Sequence, residues 1–217
     1  MAIIPLGDAS RRPVRMPFIT AFLIVVNVCV FALELIGGEP FVARWSVIPA
    51  QVSGGQHLVT VLTGMFMHGG WSHIIGNMIF LWAFGPEIED AMGHLQYLAF
   101  YLVGGIVAIL AQVAINPHST VPNLGASGAI AAVMGAFIVA FPTDRIRSLL
   151  FFLIFVRVQY VPAALFIGIW FLMQLVSVGA VAQVQTGGVA YMAHVGGFIY
   201  GALATRLMEA TRRIPAD

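Results

Sequence analysis

The chain has 217 residues, of which 60% are hydrophobic and 9% charged, with a formal net charge of +1. A soluble domain carries about 25% charged residues, and a fold of this length has too little interior to hide so much apolar surface. The composition excludes an ordinary soluble protein, gives no sign of nucleic-acid binding, and makes lipid the natural solvent.

Six apolar stretches approach the roughly 20 residues that cross a hydrocarbon core about 30 Å thick. The first, 17–36, follows "RRPVR" and lacks a small-x-small cleavage site, so no cleavable signal peptide is expected. It holds Asn27, Glu34 and the single cysteine, Cys29. The connection 37–70 is too long for a plain loop and is expected to form short interfacial helices in the outer leaflet. The second and fourth stretches, 71–84 and 126–141, are short, and the third is 95–115. "LLFFLIFVRVQYV" at 149–161 is interrupted by Arg157 and Gln159. It reads as an interfacial piece on the cytoplasmic side, with lengthening of the fifth span as the alternative. The fifth stretch is 161–178 and the sixth 189–207.

The ten basic residues are all arginine. Arg11, Arg12 and Arg15 precede the first stretch, Arg145 and Arg147 follow the fourth, and Arg206, Arg212 and Arg213 close the sixth. With six crossings these fall on one side, which the positive-inside rule makes cytoplasmic. The expectation is an all-α membrane protein, one domain over 1–217 with a core at about 17–207, built as six transmembrane helices with both termini cytoplasmic.

Ionisable or polar residues inside a membrane are costly and mark functional sites. "HGGWSHIIGNMIF" supplies His68, His73 and Asn77, the last two four apart on one helix face. "YMAHVGGFIYG" supplies His194, and "NLGASGAIAAVMGAFIVAF" opens on Ser127. Counted up from the cytoplasmic ends at about 1.5 Å per residue, Ser127, His73, His194 and Asn77 fall roughly 15–21 Å above the inner face. Small residues at Gly128, Ala132 and Ala136, or Ser127, Ala131 and Gly135, match Ala193, Gly197 and Gly201 on the last helix. Such stripes permit close backbone approach. They would bring Ser127 against His194, with Gly125 and Gly128 leaving the hydroxyl uncrowded. Asn27, Glu34 and Gln174 read as minor polar residues, and Glu87, Glu89 and Asp90 as a solvated turn.

A serine hydroxyl needs a base to take its proton, and His194 is the candidate. The Ser127 N–H at a helix start, His73 and the Asn77 amide are candidate oxyanion donors. No acid is expected beside His194, which points to a Ser-His dyad. Singly, such a serine is usually a cap and such a histidine a buried hydrogen-bonder; it is their joint placement that suggests chemistry. His68 reads as structural. A zinc protease would want H-E-x-x-H, which is absent. An aspartyl mechanism would need aspartates within spans, and Asp8, Asp90, Asp144 and Asp217 lie outside them.

"GASGAIAAVMGA", "AHVGGFIYG" and "MHGGWSHIIGNMIFLWAFGPEIEDAMG" resemble three motifs of the rhomboid family of intramembrane serine proteases, in the family's order and over about 17–207. The resemblance implies a six-helix core with Ser127 as nucleophile, His194 as base, and His73, Asn77 and the Ser127 N–H as oxyanion donors. It also implies single-span membrane proteins as substrates, cut near the outer membrane face, with no metal or cofactor. Size points to a minimal bacterial-type enzyme; the expected location is the plasma (cell inner) membrane, with the site opening to the extracytoplasmic side. Two departures stand out. Some members carry Trp-Arg where this chain has Val59-Thr60. Some carry an aromatic four residues after the serine, stacking on the histidine, where this chain has Ala131. His194 must then be held another way, with Phe198 a possible neighbour. The competing functions are a catalytically inactive relative that binds membrane proteins, and a transporter or channel using His73, Asn77 and His194. The second has no internal repeat or mid-membrane carboxylate in its favour.

Overall fold

A computed structural model describes residues 2–152, 155–181 and 190–211. The fold is mostly helical. Its long helices are α1 (Phe18–Trp45), α4 (Trp71–Met92), α5 (His94–Ile115), α6 (Ser127–Ala140), α7 (Ala163–Val181) and α8 (Tyr191–Ala210). Short helices α2 (Pro49–Ser53) and α3 (Thr60–Thr63), with a 3-10 turn at Gly64–Phe66, fill the region between α1 and α4. By length and composition α1 and α5 can each cross a membrane, while α6 and most of α7 are shorter apolar helices. Arg212, Arg213 and the 182–189 connection lie outside the described residues.

Helix α6 is buried on nearly every side, which suits a helix that is apolar all round. Its neighbours reach it through glycine. A Cβ at Gly197 would overlap the Gly128 carbonyl, one at Gly201 the Ala132 carbonyl, and one at Gly135 the Phe198 carbonyl. On the α5 side, a Cβ at Gly104 would lie 2.7 Å from the Ala132 Cβ, and one at Gly128 2.6 Å from that of Ala108. The stripes expected from the sequence therefore bring α6 and α8 into backbone contact. Below them, Phe84 meets Phe137 edge-to-face at 5.3 Å, and Tyr97, Leu81 and Ile88 fill the core.

The structure departs from the sequence-based expectation in four places. First, the fold is not all-α. The segment 149–161 belongs to a hairpin of β2 (Arg145–Phe152) and β3 (Phe155–Pro162), joined by β1 (Ala2–Asp8) in an antiparallel sheet of order β1-β2-β3. Alternation explains it. Pro5, Ile146 and Ser148 are buried on one face, while Val156, Val158 and Tyr160 are exposed on the other. Second, α1 does not stop at residue 36. It runs on to Trp45 past a break at Gly38, whose φ of 60° and ψ of −157° suit glycine, followed by Pro40. Third, the helix that starts with the second apolar stretch does not end at 84: α4 continues through Pro86 to Met92.

Fourth, Glu87 and Glu89 are buried, not solvated. Glu89 accepts hydrogen bonds from the N–H groups of Ile19 and Thr20 at 2.8 Å and from Thr20 Oγ1 at 2.7 Å, and its Oε1 lies 2.6 Å from His94 Nδ1. The first turn of α1 has orphan N–H groups, and its Ncap, Pro17, supplies no side-chain cap. Glu89 satisfies them from the neighbouring helix. Asp90 accepts from the N–H groups of Val14 and Arg15, in the segment leading into α1, at 3.1 and 2.9 Å.

The sheet is tied to the bundle by Arg11, whose Nε donates to Asp144 at 2.6 Å and whose guanidinium sits 4.5 Å over the Phe141 ring. Asp8 lies close by. Burial, and then the neighbouring Asp144 carboxylate, push its carboxyl up to about 6, against the opposing hydrogen bond from the Ser10 N–H. The folded state thus holds a proton that the unfolded chain releases, so this group's contribution to stability is lost as pH rises from about 4 through about 6. Asp8→Asn is expected to raise the melting temperature above about pH 7 and to change it little below about pH 4. Thermal unfolding of the two proteins across that range checks it, and equal curves at both ends would contradict the assignment.

Candidate active site

The loop before α6 is pinned from two sides. Val47 and Asn123 exchange backbone hydrogen bonds at 2.9 and 2.7 Å, and the Gly125 N–H donates to the Gly64 carbonyl at 2.9 Å. Gly125 has a φ of +133°, and a Cβ there would lie 2.9 Å from His73 Nε2 and 3.5 Å from Ser127 Oγ. Only glycine combines that backbone with that closeness. Ser127 is therefore presented at the first residue of α6, with the His73 ring across Gly125 from it.

Packing of α8 on α6 sets the second partner. The Ser127 hydroxyl and His194 Nε2 are 2.7 Å apart. The other imidazole nitrogen, Nδ1, lies 2.7 Å from Gln174 Oε1 on α7. The Gln174 amide nitrogen donates to the Trp170 carbonyl at 3.3 Å. Rings of Trp170, at 5.7 Å and 39°, and Tyr191, at 6.3 Å and 89°, flank His194. His194 is thus held by α7 and by the start of α8, which supplies what Ala131 does not. Phe198 stacks on Phe171 at 4.3 Å instead. Gln174 had read as a minor polar residue. A single glutamine in an apolar span does not announce its partner, since only the packing of α7 on α8 brings the two together.

His73 accepts the Gly69 N–H at its Nδ1, 3.3 Å away, which leaves the proton on Nε2, the nitrogen lying against Gly125. The Asn77 amide nitrogen is buried and has no hydrogen-bond partner among the described residues. The Ser127 N–H belongs to the first turn of α6, where no intrahelical acceptor is available, and the carbonyl four residues back accepts from Val47. The Ser127 N–H and His73 Nε2 therefore lie on the serine side of the site. His68 sits apart: its N–H donates to both Glu34 oxygens at 3.0 and 3.1 Å, and its ring meets Phe31 at 6.5 Å and His73 at 5.1 Å. Glu34, another residue of modest promise in the sequence, is the buried anchor of that loop. A cavity of about 20 Å³ beside Ser127, lined by Met65, Gly105, Gln112, Gly125 and Ala193, has room for about one water.

A family model of the Rhomboid domain matches residues 55–210, a stretch that contains Ser127, His194, His73 and Asn77. The chain belongs to the rhomboid family. Among its relatives, Rhomboid-like protease 5 of Toxoplasma gondii is 34% identical over 150 residues, 66% of this chain and 15% of that protein. Rhomboid protease GluP of Bacillus subtilis is 30% identical over 134 residues, 59% of this chain and 26% of the relative. Rhomboid protein 1, mitochondrial, of Saccharomyces cerevisiae is 28% identical over 190 residues, 83% of this chain and 50% of the relative. This rhomboid chain spans at most half the length of these three relatives. The family is membrane-embedded, and two of the three relatives are named as proteases.

Proposed function

We propose that this rhomboid protein is an intramembrane serine endopeptidase that cuts single-span membrane proteins near the outer membrane face. The single observation that carries the reading is the 2.7 Å contact between Ser127 Oγ and His194 Nε2. Ser127 Oγ attacks the scissile carbonyl carbon while His194 Nε2 takes its proton. The oxyanion is met by the Ser127 N–H, the Asn77 amide and His73 Nε2–H. His194 then protonates the leaving amine, and a water, activated by the same imidazole, hydrolyses the acyl-enzyme. No cofactor enters.

In this reading α1 and α4 to α8 are the six spans, and both termini and the β1-β2-β3 sheet are cytoplasmic, as the arginine placement favours. Helix α6 is 14 residues long, roughly 21 Å, so it falls short of a core about 30 Å thick. Anchored at its cytoplasmic end, it starts below the outer surface, and Ser127 lies at the floor of a depression opening outward. The membrane is the plasma membrane.

A fluorophosphonate probe tests the nucleophile without knowledge of the substrate. Wild-type protein in detergent is expected to be labelled at Ser127, and Ser127→Ala to remain unlabelled. A wild-type protein that stays unlabelled, or an equally labelled variant, would reject the assignment and leave the inactive-relative reading in its place.

A further inference from the structure

We propose that Gln174 is a positioning residue for the base, an uncharged third member that holds His194 in the tautomer with its proton on Nδ1. The proposal rests on the protease reading for its kinetic consequence, but the tautomer itself can be observed whether or not the protein cleaves anything.

A neutral imidazole carries one proton, and either nitrogen can hold it. To accept from Ser127, Nε2 must be bare, so the proton must sit on Nδ1. Something at Nδ1 must then accept a hydrogen bond. Gln174 Oε1 is 2.7 Å from that nitrogen. An amide has two ends, and its NH2 end in the same place would impose the opposite tautomer. Here the NH2 end is committed: it donates to the Trp170 carbonyl one helical turn back, at 3.3 Å. The carbonyl end is thereby turned to His194. The direction of donation is consistent along the whole chain, from Ser127 Oγ to His194 Nε2, from His194 Nδ1 to Gln174 Oε1, and from Gln174 Nε2 to Trp170 O. The Trp170 ring beside the imidazole further limits its rotation.

An amide suits this place physically. A carboxylate on a membrane helix would bear a large desolvation cost until His194 became charged. The amide dipole orients the ring without that cost. It has no acidic proton to exchange, so the serine proton taken by Nε2 stays on the imidazole until the leaving amine receives it. Among the described residues no Asp or Glu contacts His194, and Gln174 fills the position an acid would hold.

The experiment combines 15N NMR of histidine-labelled protein with steady-state cleavage of a model single-span substrate in micelles. Wild type is expected to show His194 protonated at Nδ1 and bare at Nε2. Gln174→Met, close in size and apolar, is expected to move His194 toward the opposite tautomer. It should lower kcat about ten- to a hundredfold, part of the 10² to 10⁴ that a placed base contributes, with KM nearly unchanged. Gln174→Glu, which keeps an acceptor in place, is expected to restore the Nδ1 proton and much of the rate. If Gln174→Met keeps the wild-type tautomer, or changes it without loss of kcat, the proposal is overturned. A wild-type protein that shows the Nδ1 tautomer yet never cleaves would sink the protease reading alone. Should Gln174→Met not fold, Gln174→Glu decides: a tautomer with Nδ1 bare in that variant would contradict the role.

Discussion

Ser127→Ala and His194→Ala are each expected to reduce cleavage of a single-span substrate to background. Each member of such a pair is useless without the other, so the two losses should be similar in size and should not add. In a serine protease the loss of nucleophile or base costs on the order of 10⁶ in kcat, and what remains comes from oxyanion stabilisation and binding. Alanine at 127 removes only the hydroxyl at the first residue of α6 and leaves the Gly125 and Val47 hydrogen bonds of the loop intact, so the fold should survive. Asn77→Ala grades the effect, because it deletes a proposed oxyanion donor and leaves the pair alone. A loss of about 10² to 10³ is expected for a single oxyanion donor. Cleavage rates of the purified proteins, with melting temperatures to show that they are folded, decide it. Full activity in Ser127→Ala would remove the mechanism, and an unchanged Asn77→Ala would remove that residue from it.

Gly201→Val is expected to cost both fold and activity although the residue lies two turns from the chemistry. A Cβ there would sit 2.6 Å from the Ala132 carbonyl carbon and 2.7 Å from its Cα, and would overlap its oxygen. Backbone cannot rotate away as a side chain can, so α8 must move off α6 by about an ångström or more. Overpacking of this kind costs about 1–3 kcal/mol, with larger values where nothing yields. Movement of α8 would carry His194 with it and break the 2.7 Å contact with Ser127, so kcat should fall further than stability does. Gly168→Ala is the control. It sits in the interior of α7 with nothing within 4 Å of an added Cβ, so it should be neutral or stabilising by about 0.5–1 kcal/mol. Thermal unfolding in one detergent compares the two, and a Gly201→Val protein as stable as Gly168→Ala would refute the packing account.

How much could be read ahead of the fold depended on how local the signal was. The helices α5 and α6 began and ended close to their apolar runs, because a run of that length in lipid has few options but to close its own hydrogen bonds. The small-residue stripes were visible because helical spacing repeats along one segment, and α6 and α8 meet along them. The sheet was hidden by composition. "LLFFLIF" is apolar enough to pass for part of a span, and the alternation of Val156, Val158 and Tyr160 with Arg157 and Gln159 was too brief to outweigh it. Its third strand, "AIIPLGD", is seven residues with a proline, and its partner lies far along the chain. The polar partners were lost for the same reason. Glu89 looked like one acid in a charged turn until the start of α1 was found against it. Gln174 looked incidental until α7 was found beside His194. Pairings between helices are set by how the bundle assembles, which no single segment encodes.

The pairing of β1 with β2 fixes an order of events during synthesis. The strand Ala2–Asp8 is the first piece of the described chain to be made, and its partner Arg145–Phe152 follows only after α1, α4, α5 and α6. At about 5–20 residues per second the ribosome needs on the order of ten seconds to reach it. Throughout that interval the first strand has no ladder to join, and Arg11 has no Asp144 to hold it. The sheet can close only after the helix bearing Ser127 has been made, so a closed sheet marks a chain in which that helix is complete.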